Sequence, residues 1–327
     1  MTKPLVSIIC TTYNHEKYIK KCLDGFVMQK IDFPIEIIVH DDASTDKTAD
    51  IIKEYKNKYP HLFKCIFQEK NLYSQGYDIF EIIKPLISGK YVAFCEGDDF
   101  WIDENKLQLQ FDYLQKNPNC SVCVHNANKY LVSTGETLLQ TTCDEEKDYS
   151  IAEIVEGGGG LFATNSILAK KEIATEQPKC FYCPKVSDFQ IIIYGALCGT
   201  IHYLPFIMSQ YNCGTSGSWT ERFMSDPDEK KKHYIDLVNM LQNIDEYYDY
   251  RYHELFLKKE HEIEFTMFFC ERNFKQLKKR KYREYYLLHK KELRSYEKSI
   301  KYAKFVIAVK KLMKLKIVSL AYFFSIL

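Results

Sequence analysis

What most constrains this chain is a recurrence of short, β-branched apolar runs that each end in a polar or acidic cluster, with helical periodicity between them. LVSIIC (5–10) runs into TTYN, IEIIVH (35–40) into DDAST, and KYVAFC (90–95) into EGDDFW. Between the first two, Tyr18, Ile19, Cys22, Leu23, Phe26 and Val27 fall on one face of a helix. A second helix is expected through Tyr55, closed before Pro60, then a strand at 63–68 and a helix at 78–88. Strand and helix alternating through short connections predict an α/β fold with a parallel sheet, whose ligands bind outside the carboxyl ends of the strands. The polar clusters Thr11–Asn14, Asp41–Asp42 and Glu96–Asp99 are therefore expected to converge on one site.

Further on, 106–116 reads as a helix, CSVCVHNA (120–127) as a strand, and 133–150 as a polar excursion. A glycine run (157–160), the apolar ILA (167–169), a helix near 189–198 and a strand at 201–205 follow. The composition shifts around GTSGSW and DPDEKKK, which places a domain boundary between 215 and 230 and a helical region beyond it. With 327 residues, one large domain plus an appendage fits the usual domain size.

The three carboxylates of Glu96-Gly97-Asp98-Asp99 repel one another beside a buried strand unless a cation or strong donors sit among them. Mg²⁺ or Mn²⁺ suits that oxygen set; a solvated turn and helix cap is the plainer reading. Asp41-Asp42 at another strand exit favours a site. Asp188, ahead of FQIIIYGAL, reads by itself as a helix cap.

The segments VSIICTTYNHEKYIKKCLDGFVMQ (6–29), EIIVHDDASTDKTADII (36–52), SGKYVAFCEGDDFW (88–101) and SDFQIIIYGALCGTIHYLP (187–205) resemble, in order and spacing, the family 2 glycosyltransferases. The resemblance covers roughly residues 4–220. It implies a GT-A fold, a Rossmann-like and mostly parallel sheet flanked by helices, on residues 1–220, with a helical extension over 221–327. It implies an inverting transfer from a nucleotide-sugar, a UDP-sugar by expectation, to a glycan or lipid-linked acceptor in cell-surface polysaccharide synthesis. Thr11, Tyr13 and Asp42 match positions that hold base and ribose. Glu96, Asp98 and Asp99 match the DxD-type motif, with Glu96 and Asp98 on the nucleotide and Asp98 and Asp99 on Mn²⁺ or Mg²⁺. Asp188 matches the general base. The basic residue common after the third strand is missing, since Asn71 to Gln75 stand there. The family's donor and acceptor walls fall at GGGGLFATNS, with Gly159 and Gly160 as close-approach positions. GTSGSWTER has the composition of a closing loop, with Trp219 as anchor and Arg222 near the phosphates. A non-catalytic nucleotide-sugar-binding scaffold is the alternative, although Asp98, Asp99 and Asp188 all being present favours the enzyme.

Lys+Arg 45 against Asp+Glu 44 excludes a general basic field for nucleic acid. Residues 298–327 nevertheless hold seven lysines and no carboxylate. There Phe305, Val306, Val309, Leu312 and Met313 oppose Lys304, Lys310, Lys311 and Lys314 on a helical wheel, and an apolar end follows. A basic amphipathic tail over about 301–327 is expected to lie on anionic lipid or to pack on protein. The amino terminus lacks a secretory signal pattern, and no apolar run is long enough to span a bilayer. The twelve scattered cysteines read as free thiols of a reducing cytoplasm, with peripheral association on the membrane's cytoplasmic face. Cys120/Cys123 and Cys180/Cys183 have zinc-knuckle spacing, but on a strand i and i+3 point to opposite faces. His202, inside an apolar strand, is expected to be a satisfied core histidine.

Overall fold

A computed structural model describes residues 3–141, 143–183, 187–295 and 297–298. Strand β1 (Val6–Thr12) is buried on both faces along almost its whole length, as a continuous apolar run requires at the centre of a sheet. It pairs in parallel with β2 (Ile35–Asp41) on one side and β4 (Tyr91–Phe94) on the other, and β2 pairs with β3 (Phe63–Phe67). Helix α1 (Ile19–Val27) buries Ile19, Cys22, Leu23 and Phe26, the stripe expected from its 3.6-residue period. These side chains join Val6, Ile8, Cys10, Val39 and Trp101 in one core. Each buried Ile, Leu or Phe stabilises the fold by about 1.5–3 kcal/mol. Helix α2 (Thr48–Lys58) buries Ile52 in the same core.

The expected helix at 78–88 is shorter. Asp78 caps α3 (Ile79–Ile83) by accepting from the Phe80 N–H, and the chain tightens to a 3-10 turn over Lys84–Leu86, where Pro85 has no N–H to continue the helix. Beyond β5 (Phe100–Trp101) and α4 (Lys106–Lys116) comes β6 (Cys120–Leu131). The polar excursion contains two strands, β7 (Glu136–Leu139) on β6 and β8 (Lys147–Tyr149). Helix α5 (Ile151–Gly157) starts at a reciprocal Ser150–Glu153 capping box.

The apolar ILA forms β9 (Leu168–Lys170), which lies antiparallel between β4 and β6. The sheet is therefore mixed and mostly parallel, in the order β3-β2-β1-β4-β9-β6-β10-β5. Short α6 (Lys171–Thr175) and α7 (Ser187–Cys198) lead to β10 (Thr200–Cys213), a strand far longer than the 201–205 expected. It runs parallel to β6 through bulges around Pro205–Met208 and also pairs antiparallel with β5 and β8. That length matters for the site, because it carries residues 209–213 to the acidic cluster.

The chain divides into two compact units, Met1–Phe256 and Leu257–Leu327. The composition shift at 215–230 lies inside the first unit, where α8 (Trp219–Ser225) and α9 (Pro227–Tyr247) continue. The second unit, in its described part, has most of α10 (His253–Cys270), then α11 (Phe274–Leu277) and α12 (Arg283–Leu288). Its core is Phe265, Leu277, Tyr282 and Leu293. The expected amphipathic tail at 301–327 lies outside the described residues. Among the described residues no helix is long and apolar enough to cross a membrane.

No cysteine is in a disulfide, and Cys10, Cys22, Cys95, Cys120 and Cys123 are buried. His202 is buried, stacked on the Tyr113 ring, with Nδ1 2.8 Å from Asp148 and Nε2 3.1 Å from Glu146.

Candidate active site

Three strand exits meet because their backbones are hydrogen-bonded to one another. The Thr12 carbonyl accepts from the Asp42 N–H at 3.0 Å, and the Thr11 carbonyl accepts from the Gly97 N–H at 2.9 Å. Thr11 is half-buried at the end of β1, and Tyr13 beyond it is 38% exposed. The Glu96 carbonyl then accepts from the Asp99 N–H, folding Glu96–Asp99 into a tight turn. Gly97 makes the turn possible. A Cβ there would sit 2.5 Å from the Thr12 hydroxyl and 3.0 Å from Nδ1 of His15. Gly97→Ala should displace the acidic turn and lower stability by about 1–3 kcal/mol, read by denaturant titration. An unchanged midpoint would mean that the turn yields without strain.

The carboxylates of this turn differ sharply. Asp99 is 1% exposed and has both oxygens engaged, Oδ1 by the Asn212 N–H at 2.8 Å and Oδ2 by the Asn165 side-chain amide at 3.0 Å. Burial, then the charges of Asp98 and Glu96, pushes its pKa well above the ordinary carboxylate range. Asp98 Oδ2 accepts from the Thr215 hydroxyl at 2.5 Å and lies 3.9 Å from Nε2 of His15, while the Asp98 carbonyl accepts from the Asn212 side chain. The Glu96 carboxylate has no hydrogen bond or ion pair among the described residues. Solvent reaches it, yet protein crowds its inner side, and that desolvation together with Asp98 and Asp188 raises its pKa.

Asp188 stands in the first turn of α7, where the helix dipole favours a carboxylate. Its Oδ2 accepts from the Thr164 hydroxyl at 3.1 Å and its Oδ1 from the Phe189 N–H at 2.7 Å. Burial nevertheless dominates and raises its pKa. The charge of Asp188 also acts on Glu96. The glycine run packs beside this helix start. Gly157 ends α5, Gly158–Gly160 form a 3-10 turn, and a Cβ on Gly159 would lie 3.5 Å from that of Phe189. A Cβ on Gly160 would meet nothing within 4 Å.

Asp42 is 4% exposed, and both its oxygens accept from backbone amides, those of Leu72 at 2.8 Å and Tyr73 at 2.9 Å. Trp219 and Arg222 lie on α8, and their side chains are outside the described residues. The loop before α8 turns through Gly214 and Gly217, with φ +83° and +77°, and touches the acidic turn through Thr215.

Asn165 is the residue that sequence reasoning missed. Fully buried in the 3-10 turn Thr164–Ser166, it donates to Asp99 and to the Gln210 carbonyl and accepts from Ser209. Its own carbonyl accepts from the Trp101 indole. The polar TNS between two apolar runs signals a turn, but its partners lie 44 to 66 residues away in sequence.

Among the described residues no three His, Cys, Asp or Glu side chains close on one point as a metal cage. The unengaged Glu96 carboxylate and the remaining oxygen of Asp98 nonetheless fit a hard divalent cation, which takes one or two carboxylates and fills its shell with phosphate and water. Asp99, expected beside Asp98 as a ligand, has both oxygens bonded within the protein.

An uncharacterized protein of Mycobacterium tuberculosis is 32% identical over 65% of this chain and 60% of its own length, so the match spans about three fifths of that relative. The structure of S. aureus TarS 1–349 in complex with UDP-GlcNAc superimposes with a TM-score of 0.58 at 20% identity, covering 74% of this chain and 66% of that one. A mannosyltransferase from Pyrobaculum calidifontis, in complex with GDP-Man and Mn²⁺, gives 0.51 at 15% identity, covering 75% and 65%. These likenesses establish the GT-A fold, the mixed sheet and flanking helices described above. The model of the family described as glycosyl transferase family 2 matches residues 7–170, half of the sequence, and the chain belongs to that family.

Proposed function

We propose that this chain is an inverting glycosyltransferase that moves a sugar from a nucleotide-sugar, a UDP-sugar, to a hydroxyl of a glycan or lipid-linked acceptor in cell-surface polysaccharide synthesis. One observation carries the reading. Asp188, a half-buried carboxylate with a raised pKa, lies close enough for its charge to act on the unpaired Glu96 on a family 2 framework. Residues 1–220 would form the transferase domain proper and 221–327 the helical appendage.

In this mechanism Asp188 accepts the proton of the acceptor hydroxyl while that oxygen attacks the anomeric carbon. Attack comes from the face opposite the departing nucleoside diphosphate, so a single displacement inverts the configuration without a covalent intermediate. Its raised pKa makes Asp188 a better proton acceptor than an ordinary aspartate, and Thr164 keeps its oxygen aimed. Glu96 and Asp98 would hold Mn²⁺ or Mg²⁺, which when bound supplies positive charge against the diphosphate. Tyr13 and Thr11 lie at the β1 exit, where the nucleoside would rest. Gly159 and Gly160 border the Asp188 side, and the loop ahead of Trp219 and Arg222 is joined to Asp98 by Thr215.

The test is release of nucleoside diphosphate from a panel of nucleotide-sugars, with Mn²⁺ and with EDTA. Slow metal-dependent hydrolysis of one donor is expected even without acceptor. A silent panel, with no UDP binding by calorimetry, would refute the enzyme reading.

The tail carries the proposed membrane contact on the cytoplasmic face. Deleting residues 302–327 should release the protein from anionic liposomes, and continued co-sedimentation of the shortened chain would end that idea.

A further inference from the structure

The second unit carries a surface that the transferase chemistry leaves unused. From α11 onward, residues 274–298 hold ten Lys or Arg against three Glu, in a chain with 45 basic and 44 acidic residues overall. Helical hydrogen bonds continue past the end of α12, from the His289 N–H to the Tyr285 carbonyl at 3.1 Å and from the Leu293 N–H to the His289 carbonyl at 2.9 Å. One register therefore runs from Arg283 to Arg294. Tyr282 and Leu293 are buried with Phe265 and Leu277, which fixes the inward side. Arg283, Leu287, Lys290, Lys291 and Arg294 stand at i, i+4, i+7, i+8 and i+11 and share a second face, within about a third of the circumference.

Most acids nearby are already engaged. Glu297 pairs with Lys278 and Glu264 with Lys281, both at 2.6 Å, and Glu292 pairs with His289 at 3.1 Å. Glu284 flanks the stripe. Among the described residues no carboxylate pairs with Arg283, Lys290, Lys291 or Arg294. Leu287 is 53% exposed and Leu288 73%, the latter the most exposed large apolar side chain among the described residues. Water satisfies the cations of such a face, but not two adjoining leucines.

We propose that this stripe is a docking surface for an anionic lipid bilayer. Arg283, Lys290, Lys291 and Arg294 meet headgroup phosphates, and Leu287 and Leu288 enter the boundary between headgroups and acyl chains. A soluble polyanion would pair with the cations and leave both leucines in water, so the apolar pair selects lipid. The positive charge also continues along the chain, through seven lysines and no carboxylate over residues 298–327. This goes beyond the tail contact proposed above, because it assigns lipid binding to a folded surface of the second unit. One membrane signal gives marginal, reversible binding and two give a stable one. Stripe and tail are then each necessary at physiological salt.

The experiment sediments the full chain with vesicles of phosphatidylcholine, alone or with about 30% phosphatidylglycerol, at about 0.15 M salt. Wild type should bind the anionic vesicles only. The triple variant Arg283→Gln, Lys291→Gln, Arg294→Gln should bind at least tenfold more weakly, since each cation near the surface contributes about fivefold. The double variant Leu287→Ser, Leu288→Ser should also weaken binding about tenfold. Both variants alter exposed side chains, so their melting temperatures should match wild type. Unweakened binding by the glutamine variant would overturn the proposal; if deleting residues 302–327 still released the chain, the tail contact would stand without it. Loss in the glutamine variant with none in the serine variant would mark a general polyanion site, and would overturn the lipid assignment. A wild-type chain that ignores anionic vesicles would end both membrane readings and leave the transferase reading untouched.

Discussion

Replacing Asp188 with asparagine should lower turnover by about 10²–10⁴-fold, the contribution of a positioned general base, while UDP binds within threefold of wild type. Asparagine keeps the shape, and its carbonyl still accepts a hydrogen bond, but it does not take the acceptor's proton. The pH profile supplies a second check. Burial raises the Asp188 pKa, so the ionised, competent form is lost as pH falls through a value above the ordinary aspartate's roughly 3.9. The acid limb of turnover should accordingly lie above that value. Thr164→Val should push it higher still, because the Thr164 hydroxyl bonds to the carboxylate and favours its charged form. A Thr164→Val limb unmoved from wild type, or an Asn variant keeping more than a tenth of wild-type turnover, would remove Asp188 from the base role.

The acidic turn was legible in the sequence because the signal is local. An apolar strand that stops abruptly at EGDD places its carboxylates at a strand end, and parallel topology puts such ends on one side. Helix α1 was legible for the same reason, since its buried stripe is written at i, i+3 and i+4. The direction of β9 was not. Three apolar residues carry no polarity signal, and only pairing with β4 and β6 sets it antiparallel. Lys106 misleads in the opposite sense. At the start of a charged helix it looks solvent-facing, yet it is fully buried, its ammonium 4.0 Å from the centre of the Trp101 ring and 2.8 Å from the Gln110 side chain. Burial lowers its pKa to about 7. Asp42 shows the same limit within the site. Its position at a strand exit could be read from the sequence, but its engagement with amides 30 and 31 residues on could not.

Asn165→Ala should be the most destabilising single change at the site, by about 3–5 kcal/mol, although Asn165 is polar and sits in a three-residue turn. Removing its side chain leaves a buried Asp99 oxygen, the Gln210 carbonyl and the Ser209 hydroxyl each without a partner they now have. Asp99 is the severe case, since burial and the neighbouring Asp98 and Glu96 already disfavour its charged form, which leans on two donors, of which Asn165 is one. With about 2–4 °C per kcal/mol for a unit of this size, the melting temperature should drop by roughly 10 °C. Asn165→Asp separates this account from simple loss of packing. Aspartate matches asparagine in volume but sets a second carboxylate 3.0 Å from Asp99 where a donor stood, so it should destabilise at least as much as alanine at pH 7 and recover as pH falls and one acid binds a proton. The sign follows from linkage: the native state, holding two facing acids, binds more protons than the unfolded chain, so its stability rises as pH is lowered through their raised pKa values. Differential scanning calorimetry of both variants between pH 5 and 8 decides the matter. An Asn165→Asp melting temperature equal to wild type at pH 7 would show that Asp99 does not depend on that amide.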